Sequence, residues 1–130
     1  MMPFIIQIRE FKMYTAFFQH QKYSICSLFL LSFLMLIRIV RMNFHKEQVP
    51  SFLALFQNSK SVIKSFPGCT YLELLQDASD ACVFYTYSHW SDEKALESYR
   101  DSTFFKGTWA KTKVLFASKA QAFSLKEIDT

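Results

Sequence analysis

The chain has 130 residues, a net charge of +4, and a composition that is 51% hydrophobic, 18% aromatic and 20% charged. That length supports one ordinary core. So much apolar side chain, with only two glycines and three prolines, excludes a disordered, collagen-like or linker-rich protein. The mild positive charge shows no basic stripe of the kind a nucleic-acid partner needs, and three cysteines are too few and too odd in number for a disulfide scaffold, which points to reduced thiols in the cytoplasm.

Residues 1–34 read differently from the rest, with six phenylalanines, three methionines, no glycine and no steady hydrophobic period. Near their end a run without charge, ICSLFLLSFLMLI (residues 25–37), stops at Arg38. It is shorter than the roughly 20 residues of a spanning helix, so no stable membrane insertion is implied. Arg9, Lys12 and Lys22 precede it as in a secretory leader, yet Arg-Ile-Val-Arg follows where a small-residue cleavage pattern belongs. Three readings stay open: residues upstream of a functional start near Met35, a flexible or helical extension, or a membrane-surface anchor. His20 falls in this segment and carries no weight. The domain is read as 35–130.

From Met35 the pattern is legible. LIRIVRMNF (36–44) is short, β-branched and strand-like. Val49, Phe52, Leu53, Phe56 and Ile63 then mark one face of an amphipathic helix over about 47–65, with Pro50 in its first turn and Phe66-Pro67-Gly68 as its stop. CTYLELLQ (69–76) and ACVFYTYSH (81–89) are two strands joined by a turn at Asp77-Ala78-Ser79-Asp80. A symmetric turn sets Cys69 opposite Ser88 and Cys82 opposite Leu75, too far apart for a disulfide. Ser91 reads as the N-cap of a helix over 92–100, a further helix covers about 102–118, and a strand at 121–126 closes the chain. The order β-α-β-β-α-(α)-β is the ferredoxin-like α+β arrangement.

Both faces of that sheet are apolar. Tyr71 and Leu75 oppose Leu72 and Leu74, Val83, Tyr85 and Tyr87 oppose Cys82 and Phe84, and Ile37 and Ile39 oppose Val40, Met42 and Phe44. Helices from so short a chain cover one side, so a second copy packed sheet to sheet is the economical cover for the other.

Several side chains carry candidate chemistry. His89, among Tyr85 and Tyr87 and beside Trp90, is either a base for a phenolic proton or a surface histidine at a strand end. His45 reads as solvated. Tyr71, Tyr85, Tyr87 and Tyr99 either orient a polar aromatic ligand or build core and interface. Arg38 and Arg41 fall on opposite faces of the first strand, so only one of them faces a given pocket. Cys69 and Cys82 read as structural thiols, and no histidine pair or Cys-x-x-Cys suits a metal.

From Met35 to about Lys126 the chain resembles the antibiotic biosynthesis monooxygenase family of dimeric α+β barrels. The likeness rests on IRIVRMNF, VPSFLALF, FPGCTYLELLQD and YSHWSDEKALESYRDSTFFKGTW. It implies a cavity between sheet and helices, a homodimer, and oxidation of a small phenol or quinol-like molecule by O2 without cofactor. Asn43 matches a polar residue that faces the pocket in the family, and Arg41 shares its face and would neutralise an enolate. Trp90 matches the tryptophan that closes the third strand. Two histidines of the family are replaced here by Tyr99 and Phe104, and an axial histidine of the haem-degrading branch falls near Trp109, which argues against haem. The resulting expectation assigns catalysis to Asn43, His89 and Arg41, and substrate binding to Trp90, Tyr71, Tyr85, Tyr87, Tyr99 and Trp109. The missing histidines keep a non-catalytic small-molecule-binding or stress-response protein on the same scaffold open as the alternative.

Overall fold

The computed structural model describes residues 35–129, and the readings made for 1–34, His20 included, lie outside them. In chain order come β1 (Leu36–Phe44), a 3₁₀ turn (Lys46–Gln48), α1 (Val49–Ser65), β2 (Cys69–Gln76), β3 (Val83–Trp90), α2 (Glu93–Arg100), α3 (Thr103–Lys113) and β4 (Phe116–Leu125). The four strands form one antiparallel sheet in the order β2-β3-β1-β4, so β3 lies between the two strands that α1 connects. This is the ferredoxin-like α+β fold that the element order predicts.

Strand alternation divides the sheet into two sets of side chains. On the helix-covered face, Leu36, Leu72 and Trp90 pack with Ile63 of α1 and Leu96 of α2. Towards the other end of the same face, Met42, Phe44 and Phe84 pack with Phe52 of α1, and Trp109 and Phe116 lean on this second cluster. Phe56 touches both clusters. Among the described residues no helix covers the opposite face, and Tyr71, Leu75 and Phe123 remain 43%, 43% and 48% exposed there. Among the described residues no helix is long and apolar enough to cross a membrane.

Several local expectations are corrected. The buried stripe of α1 runs through Phe52, Ser59 and Ile63, whereas Leu53 is 41% exposed. A stripe alternating steps of four and three passes through position 59, so the serine occupies a slot that hydrophobicity alone leaves blank. Its hydroxyl is satisfied inside the helix, donating to the Leu55 carbonyl at 2.7 Å.

The β2–β3 register pairs Cys69 with Trp90 and Leu75 with Tyr85, not Cys69 with Ser88 or Cys82 with Leu75. Two features shift it. A bulge interrupts β2 between Cys69 and Tyr71, and the connecting loop extends through Cys82. Carboxylates organise that loop: Asp77 Oδ1 accepts from the Ser79 and Asp80 amides at 2.8 and 3.0 Å, and Asp80 Oδ1 accepts from the Cys82 amide at 2.9 Å.

Asp92, not Ser91, caps α2, its Oδ1 accepting from the Ala95 amide at 2.7 Å. The Ser91 amide is committed to the Gly68 carbonyl at 2.7 Å, which holds that residue against the β2 entry and passes the capping position one residue onward. The third helix ends at Lys113 rather than near Ser118, and the last strand begins at Phe116 rather than Gln121. Pairing of Phe116 with Phe44 and of Ser118 with Asn43 supplies β1 with a partner along its length, and this tertiary demand overrides local helix preference.

Gly68 is the one position where the backbone requires glycine. Its φ is +88°, and a Cβ there would run into the Ala95 Cβ and the Ser91 Oγ. Gly68→Ala is therefore expected to lower unfolding free energy by about 2–3 kcal/mol, read from denaturant melts. A loss below about 0.5 kcal/mol would show that the turn and α2 are free to shift.

Candidate functional site

Between the helix-covered face and its roof lies a cavity of about 470 Å³, within the usual range for small-molecule sites. Its floor is the even-numbered face of β1 with Thr86, Ser88 and Trp90 of β3, and its walls come from α1, α2 and α3. The two apolar clusters fill the ends of this face, and polar side chains at Arg38, Thr86 and Ser88 mark the stretch between them that no helix fills.

One wall is a run of aromatic rings. Trp90 stacks on Tyr99 with centroids 5.0 Å apart and planes at 24°, and Tyr99 meets Phe105 edge-on at 5.1 Å. Phe105 stacks on Trp109 at 5.9 Å and 10°. The Trp90 indole is 1% exposed, and its Nε1 donates to Ser88 Oγ at 3.0 Å, which in turn donates to the Arg38 carbonyl at 3.4 Å. A buried indole N–H is thereby satisfied and its plane set.

Polar groups are few and specific. Arg38 rises half-buried from β1, donating from Nη1 to Ser124 Oγ of β4 at 2.7 Å. Burial, then the charge of Arg100, lowers its guanidinium pKa, which Glu97 partly restores; a guanidinium stays charged regardless. Burial pushes the Tyr99 phenol far above its ordinary value, with a smaller push from Cys69, so the phenol donates hydrogen bonds and does not act as a base. Ser59 and Thr112 present hydroxyls to the cavity, the latter donating to the Thr108 carbonyl at 2.7 Å. Among the described residues the lining contains no histidine, aspartate or glutamate.

Of the residues singled out from the sequence, Trp90, Tyr99 and Trp109 line this cavity. Asn43, Arg41, His89, Tyr71, Tyr85 and Tyr87 do not, because they belong to the odd-numbered set that faces away from the helices. There Asn43 Nδ2 donates to Ser118 Oγ at 3.1 Å, His89 Nε2 and the Tyr87 hydroxyl are 3.0 Å apart, and the Tyr85 hydroxyl donates to Asp77 at 3.3 Å. The Tyr71 hydroxyl donates to Glu73 at 2.7 Å, and that carboxylate raises the phenol's pKa. Arg38 takes the cavity position for which Arg41 was the sequence candidate.

Arg100, Lys106, Ser59 and Thr112 also line the cavity and were not singled out. Ser59 continues the α1 stripe, and Thr112 follows Phe105 and Trp109 at steps of four and three, so helical spacing was the available signal for both. Arg100 and Lys106 sit on separate helices and read as ordinary solvated charges in sequence. Cys69 and Cys82 are free thiols, and burial pushes Cys69 up, which leaves it a poor nucleophile.

The model of a family described as antibiotic biosynthesis monooxygenase matches residues 35–111. Among solved structures, a conserved protein from Methanosarcina mazei Go1 superposes with a TM-score of 0.73 at 16% identity, covering 77% of this chain and 99% of its own. A Mycobacterium tuberculosis protein, Rv0793, superposes at 0.68 with 17% identity, covering 74% and 97%. An antibiotic biosynthesis monooxygenase superposes at 0.69 with 17% identity, covering 72% and 99%. At these identities the structural likeness establishes the fold alone. No curated protein matches the chain.

Proposed function

The chain belongs to the antibiotic biosynthesis monooxygenase family, and from that premise we propose that it oxidises a small, electron-rich aromatic or quinol-like molecule with O2, without cofactor, in the cavity between sheet and helices. The observation that carries this reading is the aromatic wall of Trp90, Tyr99, Phe105 and Trp109 facing a half-buried guanidinium, Arg38. An apolar cavity dehydrates a flat aromatic, and one fixed positive charge in it favours the ionised form of a phenol or enol. The ionised ring gives an electron to O2, the radical pair joins as a hydroperoxide at ring carbon, and loss of water leaves a carbonyl. One oxygen atom of O2 enters the product and the other leaves as water. In this scheme Arg38 holds the developing oxyanion, Thr86 offers a hydrogen bond, and Trp90, Tyr99 and Trp109 hold the ring.

A second reading has its own support. With no imidazole or carboxylate from the described residues in the lining, deprotonation there depends on the substrate's own acidity, and a binding protein on the same scaffold needs no base at all. Oxygen-electrode measurements with a panel of anthrones and naphthohydroquinones separate the two. Stoichiometric O2 uptake above the spontaneous rate supports the enzyme, and tight binding without uptake supports the binder.

The reading includes a homodimer in the cytoplasm, packed through the uncovered face where Tyr71, Leu75, Phe123 and Leu125 are exposed. It predicts a dimer mass by light scattering for the full chain. Leu75→Glu with Phe123→Glu is expected to shift the equilibrium to monomer by burying like charges. A wild-type monomer at micromolar concentration overturns this part.

A further inference from the structure

The charges around the cavity are all of one sign. Arg38 from β1, Arg100 from the end of α2 and Lys106 from α3 line it together, and among the described residues the lining has no acidic side chain. Arg38 is half-buried, whereas Arg100 and Lys106 are exposed, so the positive charge extends from the floor to the rim. Glu97 pairs with Arg100 at 2.8 Å, where both side chains are 42–49% exposed. An exposed pair of this kind is weak and exchanges readily with another anion. The rest of the lining is predominantly apolar and aromatic.

A neutral quinol needs at most one positive group, for the oxygen that ionises. Three cations line this apolar cavity, at least two more than that reaction uses, and bringing like charges together is unfavourable where only Arg100 has a carboxylate partner, and that one exposed. After burial, the charge of Arg100 is the next influence that lowers the Arg38 guanidinium pKa, as expected for two cations lining one cavity. An anion at the rim offsets the charge of Arg100 and Lys106 and so lowers the repulsion felt by Arg38, and its partial exclusion from water strengthens the attraction.

We propose that the ligand is a fused or substituted aromatic acid, with its rings against Trp90, Tyr99, Phe105 and Trp109 and a permanently ionised carboxylate or equivalent oxyanion held by Arg100 and Lys106 at the rim. This rests on the reading of the cavity as the ligand site and does not depend on turnover. The acid group sets the orientation: it fixes one end of the ring system at the mouth and leaves the opposite ring edge over Arg38, where the oxidisable position belongs.

The test uses the full chain and a matched pair of probes with no redox chemistry, 2-naphthoate and 2-naphthamide, titrated by calorimetry. The acid is expected to bind at least about tenfold more tightly than the amide at low salt, and the preference shrinks as salt rises. Arg100→Gln with Lys106→Gln is expected to reduce that preference to under about threefold while leaving amide affinity unchanged. Both positions are exposed on helices that tolerate glutamine, and circular dichroism confirms the fold of each variant. Equal affinity for the two probes, no binding of either, or equal weakening of both in the double variant overturns the inference. Naphthoate selectivity in a protein that consumes no O2 with any quinol upholds this inference and overturns the monooxygenase reading instead.

Discussion

Trp90→Ala is expected to destabilise the protein by about 3–5 kcal/mol, measured by denaturant unfolding of the full chain. Trp90 is among the most enclosed large side chains, at 1% exposure. It closes the cluster formed with Leu36, Leu72, Ile63 and Leu96 while also forming part of the cavity wall. Truncation forfeits the transfer free energy of the indole, removes the stacked contact with Tyr99, and opens a void beside an existing cavity. That proximity matters, because neighbours already bordering empty space have little to collapse onto. It also deprives Ser88 Oγ of its donor, leaving a buried hydroxyl with only the Arg38 carbonyl as partner. Trp90→Phe retains an aromatic plane against Tyr99, so a smaller loss of about 1–2 kcal/mol is expected. A change below about 1 kcal/mol for the alanine variant would mean that the indole is not a structural keystone of this end of the sheet.

Arg38→Gln is expected to reduce the rate of aromatic oxidation by about 10²–10³, with a much smaller effect on binding of a neutral analogue. The reasoning is differential: a fixed positive charge on the cavity floor gains most when the ring oxygen acquires negative charge, so the loss falls on kcat rather than on KM. Glutamine preserves a donor for Ser124 Oγ, which Arg38 holds at 2.7 Å, and so separates the charge from the cross-strand contact. Arg41 provides the contrast. Three residues along the same strand and pointing the other way, Arg41→Gln is expected to leave kcat within about twofold. The reverse pattern, with Arg41 carrying the loss and Arg38 silent, would move the chemistry to the uncovered face and to Asn43 and His89.

That contrast shows where reading the chain stops. Period-two alternation sorts Arg38, Val40 and Met42 from Ile39, Arg41 and Asn43 without ambiguity. It does not say which set lies under helices when both are apolar. In a half-solvated sheet the polar set labels the outside; here Tyr85, Tyr87 and Ile39 on one side are as hydrophobic as Phe84, Met42 and Leu72 on the other. Asn43, a candidate through the family resemblance, and His89, a candidate for its tyrosine neighbours, lie in the folded chain beside Ser118 and Tyr87 on the open side.

Local chemistry was a good guide to element type and a poor one to element ends. The stretch before Phe116 contains Lys111 and Lys113 and extends the helical pattern, but strand pairing with β1 claims the residues from Phe116 onward. Likewise Ser91 is as good a cap as Asp92 in sequence, and only the fold shows that Asp92 takes the role while the Ser91 amide pairs with Gly68.

The strand-helix order, the stop at Pro67-Gly68 and the apolar character of both sheet faces were legible in the amino-acid order, because each follows from neighbours a few residues apart. The choice of roofed face, the placement of Arg38 and not Arg41 in the cavity lining, and the meeting of Arg38, Arg100 and Lys106 at one cavity were decided by packing. These depend on which way α1 crosses the sheet and on how α2 and α3 return over it, and such long-range geometry leaves no periodic trace in the chain.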